Sequence, residues 1–422
     1  MGWCLHCPAM LPPRSSRLVL RALIAGALLA AGALLAASPV ATAKSRTKPH
    51  QAHGASQTAV PQGFVGVDID GPLYGPYTPV DINSQLGRMV ASGVQSIRVA
   101  FDWETAQPYR SWSQVPSYQR EEFTREGGVP TDFQVTDQIV GDAARRGVAV
   151  LPTVMYAADW DAKHSPKVHF ATPSRPAPYA AYLTALIGRY GPQGSFWKQN
   201  PDIPKLPIRS WQIWNEPNIW HYWPQPFAAS YVSLLRSAHA AVKRADPGAQ
   251  VVLGALTNFS WDSWVQLNRI KGSSRLYDAV SINAFTKEPA NVIRELRLVR
   301  NAMNRAKVRQ PLLLTEWSWP SALGRTPQHY DWNTTEAGQA RNIATLLPML
   351  GRARRTLGLI GFDYYTWMSE IDPGSPAFDF AGLLSFQGGN VVAKPALPAF
   401  TKGVLALEHC ARKGALATTC IT

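Results

Sequence analysis

The sequence predicts an α/β chain folded as one closed (β/α)8 barrel. Short apolar runs alternate with helical patterns eight times between residues 64 and 408, and strands recurring between helices specify a parallel sheet. The length, 422 residues, suits one such barrel with insertions. Polar and aromatic residues follow nearly every strand. A doubly wound open sheet has the same period, but it would build its site from only the two or three loops at a switch point.

The chain opens on a targeting segment. Arg14, Arg17 and Arg21 form a basic stretch, residues 18–37 are apolar and rich in Ala and Leu, and Ala41-Thr42-Ala43 supplies an A-x-A cleavage site. Residues 1–43 are therefore expected to be a signal peptide and the protein to be secreted. The rival is an uncleaved N-terminal anchor, because the apolar run approaches the ~20 residues that span a bilayer. Residues 44–62 carry Pro, Ser, Thr, Gln and His, the composition of a disordered linker. The barrel is assigned to 63–408 and a C-terminal tail to 409–422.

Strand one is expected over 64–69 with its helix at 80–91, and strand two over 96–101 with a long loop to 130 and a helix at 135–146. Strand three covers 148–154 with a helix at 179–190. Strand four covers 208–214; its helix at 227–245 is stopped by Asp246-Pro247-Gly248, since Pro cannot continue a helix. Strand five (251–256) precedes a helix at 261–270, strand six (279–284) one at 291–306, and strand seven (312–315) one at 336–354. Strand eight covers 359–365 and the last helix 396–407.

Composition excludes several classes. The formal net charge of +14 falls to +11 without residues 1–43, which hold three arginines and no acids. The remaining arginines are spread over amphipathic stretches such as 291–309 and 352–355. They read as solvated helix faces, with no basic stripe interleaved with aromatics, so no nucleic-acid partner is expected. The nine His are dispersed, and the only C-x-x-C, Cys4 to Cys7, lies inside the leader. No metal and no cofactor are expected, and the chain is read as a monomer. Cys410 and Cys420 are close in sequence in an exported chain and are candidates for a disulfide clipping the tail.

Two stretches carry the chemistry. Trp211-Gln212-Ile213-Trp214-Asn215-Glu216-Pro217-Asn218 is an apolar run that ends abruptly in Asn-Glu, with Pro217 preventing continuation of the strand. Further on, Leu312-Leu313-Leu314-Thr315-Glu316-Trp317 repeats the pattern. A carboxylate at the C-terminal end of a barrel strand stands at the mouth where barrel active sites lie, and two such glutamates are the equipment of glycoside hydrolysis. Around them, Trp103, Tyr156, Asn283, Trp317, Tyr365 and Trp367 are expected at the same mouth. Aromatic faces and amides suit a carbohydrate, so an oligo- or polysaccharide is the expected partner. Asp70, Glu104, Glu288, Asp363 and Glu370 are competing carboxylates; only Asp70 and Asp363 are near strand ends.

Trp214-Asn215-Glu216-Pro217-Asn218 closing strand four and Thr315-Glu316-Trp317 closing strand seven resemble the clan A retaining glycoside hydrolases. That clan includes a cellulase/mannanase-type family and a β-xylosidase-type family. The resemblance implies a retaining β-glycoside hydrolase working by double displacement, with Glu216 as general acid/base and Glu316 as nucleophile. It also implies that Asn215 bonds the sugar 2-hydroxyl, Arg98 keeps the nucleophile ionised and Trp367 is the stacking platform. The chain departs from the cellulase-type pattern at strand six, where Ile282-Asn283-Ala284-Phe285 stands in place of a His followed by a Tyr, and at Tyr156, where a His is common. Tyr365 is a candidate for the missing hydroxyl. The rival reading is a glycan-binding barrel that has lost turnover.

Overall fold

The structure is a computed structural model that describes residues 59–75 and 78–421. The expected signal peptide at 1–43 and residues 44–58 of the expected linker lie outside the described residues. The barrel strands are β1 Val65–Ile69, β2 Ser96–Asp102, β3 Ala149–Met155, β4 Ser210–Asn215, β5 Gln250–Ala255, β6 Val280–Asn283, β7 Leu312–Glu316 and β8 Leu359–Tyr364. The main helices between them are α1 Ile82–Ala91, α2 Gln134–Arg145, α3 Pro176–Tyr190, α4 Ala228–Ala245, α5 Ser260–Asn268, α6 Pro289–Arg305 and α7 Glu336–Leu357, with α8 Ala396–Glu408 after the last strand.

All eight strands are parallel neighbours in the order β5-β4-β3-β2-β1-β8-β7-β6. The two ends meet through parallel bridges Val252–Ala279 and Leu256–Ile282, so the sheet closes on itself. Local sequence chemistry sets the helix ends. Asp81 accepts hydrogen bonds from the amides of Asn83 and Ser84 at the start of α1, and Thr335 accepts from Gly338 at the start of α7. Pro176 and Pro289 open α3 and α6, where a missing N–H costs nothing. Gly358 ends α7 with φ 60°, a conformation glycine adopts without a Cβ clash.

The barrel interior is layered. Leu151, Val252, Ala279 and Leu313 form an apolar plug separate from the main core. Two residues further along the strands the lining turns polar. Thr153 Oγ1 donates to Gln212 Oε1 (2.7 Å) and Gln212 Nε2 donates to Ser281 Oγ (2.8 Å). This change from apolar plug to bonded polar layer lies toward the C-terminal ends of the strands.

Between β8 and α8 the chain adds a three-stranded sheet, Met368–Glu370, Leu384–Gln387 and Asn390–Ala393, which the periodicity did not show. The tail forms a short antiparallel pair, Arg412–Lys413 with Cys420–Ile421, and Cys410 is disulfide-bonded to Cys420. Among the described residues no helix is long and apolar enough to cross a membrane.

Candidate active site

Backbone irregularities at the strand ends aim the site. In a regular strand, side chains alternate between lumen and helix layer. At the end of β4 that alternation breaks, because Trp214 has φ 68° and Glu216 φ 43°, values uncommon for residues with a Cβ. Trp214 turns into the helix layer against Tyr179 and Trp223. Asn215 and Glu216 are both left at the lumen. On β7 a register shift opposite Asn283 sets two residues, Thr315 and Glu316, against one, which is a β-bulge. Both then face inward: Thr315 Oγ1 donates to Asn283 Oδ1 (2.8 Å) and Glu316 meets Arg98.

Arg98 ties the site together from β2. Its Nη1 donates to Glu316 Oε1 (2.7 Å) and Asp68 Oδ1 (3.1 Å), its Nη2 to Asn215 Oδ1 (2.9 Å) and its Nε to Gln212 Oε1 (2.7 Å). Asn283 Nδ2 donates to Glu216 Oε1 (2.9 Å) and reaches Asn215 Oδ1 (3.4 Å). Asn283 also favours the charged form of Glu316, and Thr257 that of Glu216. Glu216 and Glu316 are each 8% exposed and Arg98 6%, so these charges interact with little screening by water.

The two carboxyls differ. Burial, and then the Glu316 carboxylate, push Glu216 up to about 8; the Asn283 bond and Arg98 pull the other way. Burial also raises Glu316, opposed by the charge and hydrogen bond of Arg98 and by Asn283. Arg98 thus acts on Glu316 in the expected sense, but burial outweighs it and the net shift is upward.

Two aromatic groups flank these residues. Tyr156, Phe170 and Tyr222 stand on one side, with Phe170 and Tyr222 stacked at 5.3 Å. Phe285, Trp332, Tyr365 and Phe378 stand on the other. All seven are half-buried. Burial and the nearby Glu216 charge hold the Tyr222 hydroxyl well above the usual tyrosine range, a placement beside the site that the sequence did not indicate although Tyr222 follows Glu216 by only six residues.

The barrel has known structural counterparts. No family model and no curated sequence matches this chain. A search of solved structures does find matches. Its neighbours there are glycosidases. The GH53 catalytic domain of Ignisphaera aggregans shares 20% identity at a TM-score of 0.52, covering 82% of this chain and 97% of that one. A monomeric β-xylosidase from Caulobacter crescentus shares 18% at 0.55, covering 81% and 68%. A glucosidase from Croceicoccus marinus shares 16% at 0.57, covering 83% and 68%. Such identities establish a shared fold. The neighbours belong to the clan that the two glutamate motifs resemble.

The structure brings Arg98, Asn215, Glu216, Asn283 and Glu316 together and sets Tyr156 and Tyr365 beside them. Three expected sugar contacts are corrected. Trp103, Trp317 and Trp367 are fully buried. Trp103 stacks on Tyr182 and donates Nε1 to Gln107; Trp317 meets Phe362 and Tyr364 edge-on; Trp367 donates Nε1 to Gln85 of α1. Each is next to an inward-facing or strand-end residue, so alternation turns it outward into the helix layer. Tyr365 is close to both Asp70 and Glu316, whose charges act on its hydroxyl. Asn283 supplies a strand-six contact to Glu216. Among the described residues no group of His, Cys, Asp and Glu could hold a metal ion.

Trp367→Ala should behave as a core truncation, losing about 3–5 kcal/mol of stability with KM of the folded fraction nearly unchanged; thermal melts and steady-state kinetics check both. The raised Glu216 binds its proton more tightly folded than unfolded. Its contribution to stability is therefore present below the ordinary glutamate range and is lost as pH rises towards about 8. Denaturant midpoints over a pH series should show that loss, and Glu216→Gln should reduce it.

Proposed function

We propose that this protein is a secreted retaining β-glycoside hydrolase acting on a β-linked oligo- or polysaccharide, with Glu316 as nucleophile and Glu216 as general acid/base. One observation carries the reading. Two buried glutamates stand at the ends of β4 and β7; Glu216 accepts from Asn283, and only Glu316 is paired with Arg98. The glycosidase neighbours support it at the level of fold.

In the first step a Glu316 oxygen attacks the anomeric carbon while Glu216 gives its proton to the departing glycosidic oxygen. Arg98 favours the anionic Glu316 that attack needs. The glycosyl ester that forms carries no charge on Glu316, so the repulsion that helped hold the proton on Glu216 disappears. Glu216, now a carboxylate, takes a proton from water as that water attacks the anomeric carbon and frees Glu316. Two inversions at one carbon give net retention. A carboxyl separation of ~5–5.5 Å is that of retaining enzymes, and ~6.5–9.5 Å that of inverting ones. Asn215, held by Arg98, is oriented to bond the sugar 2-hydroxyl.

On a panel of nitrophenyl β-glycosides and β-linked polysaccharides, Glu216→Ala should lose about 10²–10⁴-fold in kcat/KM on substrates with poor leaving groups. Azide should restore Glu316→Ala, giving the inverted glycosyl azide. Wild type that binds a glycan and cleaves nothing on the panel would favour a binding barrel. The kcat/KM profile should be bell-shaped, its acidic limb set by Glu316 and its alkaline limb falling near the value of about 8 for Glu216. A profile flat through that alkaline range would remove Glu216 from the acid role.

A further inference from the structure

The floor of the site holds more acid than Arg98 can neutralise. Asp68 on β1, Glu316 on β7 and Asp363 on β8 all act electrostatically on Arg98. None of these four residues is more than 8% exposed. The charged groups acting on Asp68 are Arg98, Glu316 and Asp363. With every carboxyl ionised, the cluster would carry two uncompensated negative charges away from water, a costly state that proton uptake relieves.

The geometry says where a proton goes. Glu316 has the shorter bond to Arg98 Nη1, 2.7 Å against 3.1 Å for Asp68. Asp68 Oδ2 is buried with no hydrogen-bond partner, a poor environment for a full carboxylate. Asp363 occupies room that β1 leaves open: a Cβ on Gly66 would stand 1.9 Å from Asp363 Oδ1.

We propose that Asp68 is a protonated positioning residue, accepting from Arg98 through Oδ1, carrying its proton on Oδ2 and leaving the guanidinium charge to Glu316. The proposal rests on reading Glu316 as the nucleophile, but the proton itself is observable without substrate. The direction of the shifts agrees: burial raises Asp68 well above the ordinary aspartate value and pushes Asp363 up to about 7.

Infrared difference spectra at neutral pH, comparing wild type with Asp68→Asn and Glu216→Gln, test this without any activity assay. The expected result is a C=O band of protonated carboxylic acid in wild type, part of which disappears in each variant. A spectrum in which Asp68→Asn removes none of that band overturns the proposal, whatever becomes of the hydrolase reading. If Asp68→Asn does not fold, wild-type protein labelled with carbon-13 at the aspartate carboxyls gives the same answer. At least one buried aspartate should then titrate above neutral pH; all of them titrating in the ordinary range near ~4 contradicts the proposal. With an active substrate in hand, the acidic limb of kcat/KM should hold its position in Asp68→Asn. A downward move of about one pH unit would mean that an anion had been removed from beside Glu316, and would refute it.

Discussion

Four barrel strands meet on the guanidinium of Arg98. From β2 it bonds Asp68 of β1, Gln212 and Asn215 of β4, and Glu316 of β7. A buried cation is tolerable only when paired and hydrogen-bonded, and this one uses four of its five N–H donors. The planar fork is what allows this. A lysine would offer one compact charge in place of a fixed set of directions. The same contacts that make Arg98 tolerable position Asn215 and discriminate between the two glutamates, so structural and chemical demands are met by one side chain.

The strand ends show how the backbone accommodates that centre. The left-handed conformations at Trp214 and Glu216 and the bulge at Thr315–Glu316 each override the period of two that a strand imposes. Irregular backbone of this kind persists only when the surroundings fix it. Here they do so with large buried rings. Trp214 is wedged against Trp223 and Tyr179, and Trp317 against Tyr364 and Phe362. The tryptophans beside the glutamates form a rigid backing layer, while the tyrosines and phenylalanines of the flanking loops face the mouth.

That division explains what could be read from the sequence. The eight-fold alternation of strand and helix was legible because each period is a local pattern. Asn215-Glu216 and Glu316 stood out because polar residues ended apolar runs. The burial of Trp103, Trp317 and Trp367 was not legible: whether a residue just past a strand faces lumen or helix depends on φ and register, which composition does not encode. Asn283 was visible as a strand-end amide, but its bond from Thr315 depends on the bulge opposite it. Gln212 gave a weak signal as a polar residue inside an apolar strand. Asp68 gave less, since a carboxyl on the first strand acquires meaning only when closure of the barrel brings β7 and β8 beside it.

The central claim is that Glu316 becomes covalently attached to the sugar. Mass spectrometry of the mature protein, after incubation with a set of 2-deoxy-2-fluoro β-glycosides carrying good leaving groups, tests it most directly. The account expects a single glycosyl adduct, which peptide mapping places on Glu316 and which Glu316→Gln abolishes. An adduct on Asp68, Asp70 or Asp363, or hydrolysis of the natural glycan with inversion and no adduct, would contradict it.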